Sequence, residues 1–220
     1  IIINNKTLAI IPARGGSKRI PNKNLIDLNG KPLISYAIEE CLSVTDEVYV
    51  STDCSSISKV SSDYGAKIIE RPKELATDTC RTETTIEHFL KSVPTEEFAC
   101  VQATTPTIKG DYIKRGFELL KKFDSVISVV ERAEYLWSNN ATPINFERDF
   151  RKRTQDMNKI YSENGSFYIT TKKQFLKQNC LYDGEVGFVI MPQIMSLEID
   201  SIEDLELVRI IMKNLIDKDM

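Results

Sequence analysis

The chain has 220 residues, of which 41% are hydrophobic, enough to bury one good core and to suggest a single main domain. Its net charge is −3, and the basic residues gather on no single tail or stripe, which disfavours a nucleic-acid groove. No run approaches about 18 consecutive apolar residues, and the N-terminus lacks a charged-then-apolar leader pattern, so a soluble cytoplasmic protein that spans no membrane is expected.

The first apolar run, Leu8-Ala9-Ile10-Ile11, stops at Pro12 and opens into Arg14, Gly15, Gly16, Ser17, Lys18, Arg19, Lys23 and Asn24. This reads as a buried strand feeding a basic loop. Adjacent glycines can turn backbone N–H groups toward an anion, and the cations can neutralise a polyphosphate; the plain alternative is a solvated turn. GxxxxGK[ST] and GxGxxG are both absent, which excludes a Walker loop and makes a nicotinamide or flavin dehydrogenase a poor fit.

Residues 31–44 carry apolar side chains at helical spacing, and EVYVSTD is a short strand ending in Asp53. Helix SSISKVSSDYG closes at Gly65, and strand AKIIERP ends at Arg71-Pro72. ELATDTCR then makes a polar loop, helix TETTIEHFLKSV follows with Thr79 or Thr82 as its candidate cap, and FACVQATTP is a further strand. Alternating strands and helices predict an α/β fold, mostly parallel, with ligand groups at strand C-terminal ends. Helix DYIKRGFELLKKF and strand SVISVVE come next. From Arg132 to Tyr161 the periodicity fails, and such a long irregular stretch is usually functional or engaged by a partner. GSFYITT, helix KKQFLKQN, strand GFVIM and helix IEDLELVRIIMKNLI complete the chain.

Five cysteines without a CxxC pair read as reduced thiols, and with one histidine in the chain a zinc site is not expected. That residue, His88, falls on a helix and reads as packing or surface rather than as a general base. Glu198 and Asp200 alternate with Leu197 and Ile199, so in extended conformation both carboxylates share a face and suit Mg²⁺ whose shell is completed by phosphates. They could equally mark an edge strand, or Asp200-Ser201 could simply cap the last helix. Arg71 could read a base edge or phosphate or form a surface ion pair. Gln102 could bond a sugar or base or be solvated, and Asn164-Gly165 reads as a hairpin-like turn.

Taken together, PARGGSKRIPNKNL (12–25), STD (51–53), ERPKELATDT (70–79), VQATTP (101–106), RTQD (153–156), NGSFYI (164–169) and LEIDSIEDL (197–205) fall in the order of the acylneuraminate cytidylyltransferases. The chain resembles these CMP-sialic acid synthetases, with their legionaminic and pseudaminic acid relatives, over nearly its whole length. The resemblance implies a Rossmann-like nucleotidyltransferase fold whose excursion, about 132–163, serves dimerisation. It also implies that CTP, Mg²⁺ and a nine-carbon sugar acid give the CMP-sugar and pyrophosphate. By motif position, Arg14, Gly15, Gly16, Ser17, Lys18, Lys23 and Asn24 would hold the triphosphate. Arg71 and the backbone near Ala76 would read cytosine. Gln102, Asn164 and Tyr168 would face the sugar acid, with Arg153 and Gln155 acting across a homodimer, and Glu198 and Asp200 would ligate magnesium. The motifs divide between branches: RTQD and SKRIP lean toward the pseudaminic enzymes, Asn164-Gly165 toward the sialic and legionaminic ones. Glu198 stands where the sialate enzymes usually have Asp. The alternatives are another acidic keto-sugar as substrate, or a nucleotide-binding subunit without turnover.

Overall fold

The computed structural model describes residues 6–216. In chain order the first half comprises β1 (Leu8–Pro12), β2 (Asp27–Leu28), β3 (Lys31–Pro32), α1 (Leu33–Leu42), β4 (Glu47–Thr52), α2 (Ser55–Asp63) and β5 (Lys67–Glu70). The second half comprises α3 (Thr82–Ser92), β6 (Glu97–Val101), α4 (Gly110–Leu120), β7 (Ser125–Arg132), β8 (Ile160–Thr171), α5 (Lys172–Gln178), β9 (Val186–Ile190) and α6 (Ile202–Ile216). Seven strands form one sheet in the order β5-β4-β1-β6-β8-β7-β9. The pairs β4–β5, β1–β4, β1–β6 and β7–β9 are parallel, while β8 runs antiparallel between β6 and β7. The expected α/β architecture is therefore present, with one reversed strand.

Central β1 is apolar throughout because both of its faces are covered. Ala9 and Ile11 point into the layer beneath α1, α2 and α4 with Ile34, Ile38, Val50, Phe117 and Ile169, whereas Leu8 and Ile10 point into the layer beneath α3 and α5 with Phe89, Phe98 and Phe175. A third apolar cluster joins Ile20 of the basic loop to Leu28, Leu33, Ile199, Leu205 and Val208. Ile20 lies amid the cations and Ile199 lies between the two carboxylates. Burying those two isoleucines together therefore draws both charged segments to one place.

Three local expectations change. The residue before α3 is Arg81, and no side chain caps the helix, so neither Thr79 nor Thr82 serves. Asn164-Gly165 is not a turn but lies inside β8, at a bulge where two steps along β7, from Ile127 to Val129, face five along β8, from Tyr168 to Glu163. Leu197 to Asp200 form no strand. The irregular stretch between β7 and β8 contains a Trp137–Pro143 bridge and one turn of 3-10 helix at Thr154–Asp156.

A Cβ on Gly116 of α4 would lie 2.5 Å from Ile169 Cδ1 and 3.2 Å from Phe167 Cε2. Overpacking in Gly116→Ala should cost about 2–3 kcal/mol against the roughly 1 kcal/mol gained in helix propensity, a net loss of about 1–2 kcal/mol. Urea unfolding measures this, and an unchanged or raised midpoint contradicts the close packing of α4 on β8.

Candidate active site

The basic loop leaves β1 at the C-terminal edge of the sheet and is held from two sides. Asp53, just past β4, accepts the Gly15 N–H at 2.8 Å, and Ser51 O accepts the Ala13 N–H at 2.9 Å. Asn24 is buried and donates from Nδ2 to Arg14 O at 3.1 Å, so it supports the loop from beneath instead of presenting its amide on the surface. Gly16 takes φ +68, a left-handed conformation that favours glycine. Ser17 is half-buried on the same loop.

The cations project from this frame in two directions. Arg14 Nη2 and Lys18 Nζ meet Asp78 at 2.7 and 2.5 Å, and Lys18, then Arg14, hold the Asp78 carboxyl below its usual range. Lys23 is largely buried and donates from Nζ to both Ile199 O and Asp200 Oδ1 at 3.0 Å, while Arg19 Nη2 also reaches Asp200 Oδ1 at 3.0 Å. Groups some 177 positions apart in sequence thus share one cleft.

The acidic side is fixed just as firmly. Ser201 Oγ accepts the Asp204 N–H at 3.1 Å, and Asp204 Oδ2 accepts the N–H groups of Ser201 and Asp200 at 2.8 and 3.0 Å. This reciprocal cap starts α6 and leaves the Asp200 carboxylate available to the cleft. Glu198 accepts from Thr104 Oγ1 at 3.1 Å, and Ile199 N–H donates to Thr104 O at 2.8 Å. Although Glu198 is exposed as a residue, the protein around its carboxyl end, and after it the charge of Asp200, push its pKa above the ordinary value.

Arg71 is not the surface ion pair that its position allows. It is 7% exposed, and donates from Nε to Ser51 Oγ at 3.1 Å and from Nη2 to Ser51 O at 2.6 Å. Burial lowers its pKa, with Asp53 as the first opposing charge. Ala76, half-buried after a 3-10 turn at Lys73–Leu75, donates its N–H to Lys73 O at 3.0 Å.

On the other side of the cleft, the β8 bulge aims Asn164 inward. Its Oδ1 accepts from Ser128 Oγ at 2.6 Å and from Ser166 N at 3.1 Å, and its Nδ2 donates to Ser196 Oγ at 2.9 Å. Asn164, Glu163, Arg132, Ser196 and Glu198 line a cavity of about 440 Å³. The Tyr168 hydroxyl donates to Glu163, its ring stacks on Tyr182 at 6.0 Å, and burial followed by Glu163 pushes its pKa up. Gln102 N–H donates to Ser166 O at 2.9 Å. Arg153 and Gln155 stand apart from this assembly: both are exposed on the excursion, and Arg153 pairs with Asp156 at 2.7 Å.

The expected metal pair, Glu198 and Asp200, is thus adjacent, and among the described residues no group of three or more His, Cys, Asp or Glu could hold a metal by itself. Two carboxylates with an otherwise open shell suit Mg²⁺ carrying substrate phosphates. Arg19, read from the sequence among the cations of the loop, and Ser51, within the STD motif, join the site. So do Thr104, Asp78 and Ser196, which carry no individual signal in the sequence because their partners are remote in the chain.

The sequence profile of a family described as Cytidylyltransferase matches residues 8–217. Pseudaminic acid cytidylyltransferase of Campylobacter jejuni is 35% identical over 224 residues, covering 94% of this chain and 97% of that protein. N-acylneuraminate cytidylyltransferase A of Danio rerio is 36% identical over 87% of this chain and 47% of that longer protein. Among solved structures, a CMP:2-keto-3-deoxy-manno-octonic acid synthetase complexed with CTP shares the fold, with a TM-score of 0.74 at 17% identity over 95% of this chain and 99% of that one.

Proposed function

This chain belongs to the cytidylyltransferase family, and from that premise we propose that it activates a sialic-type nine-carbon keto-sugar acid with CTP, yielding the CMP-sugar and pyrophosphate. The observation that carries the reading is the contact of Lys23 with Asp200, which joins a phosphate-suited loop to a metal-suited carboxylate pair. A second reading, with pseudaminic acid as the substrate, is favoured by the C. jejuni relative, which this chain matches nearly end to end.

The anomeric hydroxyl gives up its proton to solvent as its oxygen bonds to the α-phosphorus and the bond from that phosphorus to the bridging oxygen breaks, and pyrophosphate leaves in line. Arg14, Lys18 and Lys23 neutralise the triphosphate and the departing charge, while Gly15, Gly16 and Ser17 supply the loop surface. Arg71 and the backbone at Ala76 read the cytosine. Glu198 and Asp200 would hold Mg²⁺, which when bound lowers the pKa of the attacking hydroxyl and neutralises the α-phosphate. No imidazole base is near: His88 borders a separate groove with Tyr49 and Glu70. Asn164 faces the sugar acid along the cavity beside Glu198, whose volume falls within the range of small-molecule sites, and Gln102 and Tyr168, which lie outside its lining, are assigned to the same acid by motif position. Among the described residues no helix is long and apolar enough to cross a membrane, in keeping with a cytoplasmic enzyme.

Trp137, Ile144 and Phe150 of the excursion are 51%, 63% and 68% exposed, an apolar surface suited to a second copy of the chain. Arg153 and Gln155 act in the neighbouring cleft of that homodimer. A chain that sediments as a monomer at assay concentrations would remove both from the site.

Asp78 competes with phosphate for Arg14 and Lys18. Both pairs are solvent-exposed and screened, so Asp78→Asn should tighten product inhibition by pyrophosphate only about 3-fold. An unchanged or weaker inhibition constant speaks against a shared anion site. The activity itself is tested by pyrophosphate release with CTP or GTP over a panel of sialic, legionaminic, pseudaminic and octulosonic acids. Turnover with CTP and a nine-carbon acid supports the reading, and no turnover with any sugar acid overturns it.

A further inference from the structure

Arg71 carries five N–H groups, and the structure shows how they are divided. Nε donates to Ser51 Oγ and Nη2 to Ser51 O, so one residue engages the whole Nε/Nη2 edge of the guanidinium as a two-pronged acceptor. The opposite Nη1/Nη2 edge keeps its donors, and among the described residues Arg71 forms no ion pair that would occupy it. A planar donor edge fixed in this way suits two adjacent acceptors. Cytosine presents such a pair in O2 and N3, whereas uracil carries a proton on N3 and would oppose donor to donor.

Ser51 has a second engagement. Its carbonyl oxygen also accepts the Ala13 N–H at 2.9 Å, where the chain leaves β1 for the basic loop. The base-reading edge and the start of the triphosphate loop are therefore both referred to one fully buried residue at the end of β4. Asp53 repeats the link two positions on, accepting from Gly15 while lying close enough to be the first charge to favour the Arg71 cation.

We propose that Ser51 is a positioning residue for nucleotide selectivity, orienting Arg71 through its hydroxyl so that the free guanidinium edge accepts cytosine and rejects uracil. This rests on the cytidylyltransferase reading above. It concerns a residue that touches no substrate itself.

The test compares Ser51→Ala, Ser51→Val and Ser51→Thr in the full chain, with CTP and UTP as the nucleotides. Ser51→Ala should raise KM for CTP about 10-fold and reduce the CTP-over-UTP ratio of kcat/KM by a similar factor, with KM for the sugar acid unchanged. Thr and Val have nearly the same bulk, and only Thr keeps the oxygen. Thr should therefore retain selectivity that Val loses, and this comparison stands even if Ala weakens the fold. In an Arg71→Ala background, Ser51→Ala should reduce selectivity no further. Equal losses for CTP and UTP, equal behaviour of Thr and Val, or additive losses with Arg71→Ala would overturn the proposal. Wild-type protein that fails to turn over CTP would instead sink the functional reading, so the two failures are distinguishable.

Discussion

Replacing Lys23 with alanine should lower kcat/KM for CTP by about 10²- to 10³-fold, the usual loss when one preorganised donor to developing charge is removed. The side chain is 13% exposed and bonds both Ile199 O and Asp200 Oδ1, so its ammonium is held in place before any nucleotide arrives. Arg19 contacts the same carboxylate oxygen but is 69% exposed, too solvated to substitute for it. The fold should survive, because the apolar contacts of Ile20, Leu33 and Ile199 do not depend on the lysine; the cost should be about 1–3 kcal/mol for an acceptor left without its donor. Steady-state kinetics with circular dichroism on the same sample separates the two effects. Unchanged kinetics would remove Lys23 from the site.

The second large effect is expected at Asp200. Asn retains the oxygen that accepts from Lys23 and leaves the Ser201–Asp204 cap untouched, so Asp200→Asn changes the charge with little change of shape. Glu198 would then stand alone as the anionic ligand. Residues outside a metal's immediate ligands typically cost 10- to 100-fold when lost, so a direct ligand should exceed about 100-fold. The diagnostic readout is a magnesium titration: the variant should show no saturable, metal-dependent turnover in the concentration range where the wild type saturates. A variant with a normal metal response refutes the ligand assignment. Glu198, longer by one methylene than the aspartate usual in the sialate enzymes, is accommodated by Thr104, which holds its Oε1.

Much of this was legible from the letters. The β1-to-basic-loop transition and the alternating strands and helices depend on local pattern, and each appears as expected, whereas the two carboxylates around Ile199 lie on an irregular segment that forms no strand. What could not be read depends on contacts between distant segments. β8 was expected to begin near Gly165, yet it starts at Ile160, because β7 extends to Arg132 and pairs with it beyond the bulge. An Asn-Gly dipeptide signals a two-residue turn only when nothing outside it claims its groups. Here Ser128, Ser166 and Ser196 claim Asn164 instead. Asn24 sits among surface cations in sequence, but its amide satisfies Arg14 O from below, a role invisible without the loop's path. Asp78 gave no signal of its own, since it matters through cations about sixty positions away, and Ser51, though part of the STD motif, gave none for its bonds to Arg71.

The account rests on nucleotide and metal lying between the loop after β1 and the carboxylates before α6. Its most direct test is a crystal of the protein grown with CTP and Mn²⁺, with anomalous scattering used to locate the metal. The predicted result is a manganese peak within coordination distance of Glu198 and Asp200, with the triphosphate against Arg14, Lys18 and Lys23. A triphosphate bound elsewhere, or a metal that touches neither carboxylate, would contradict it.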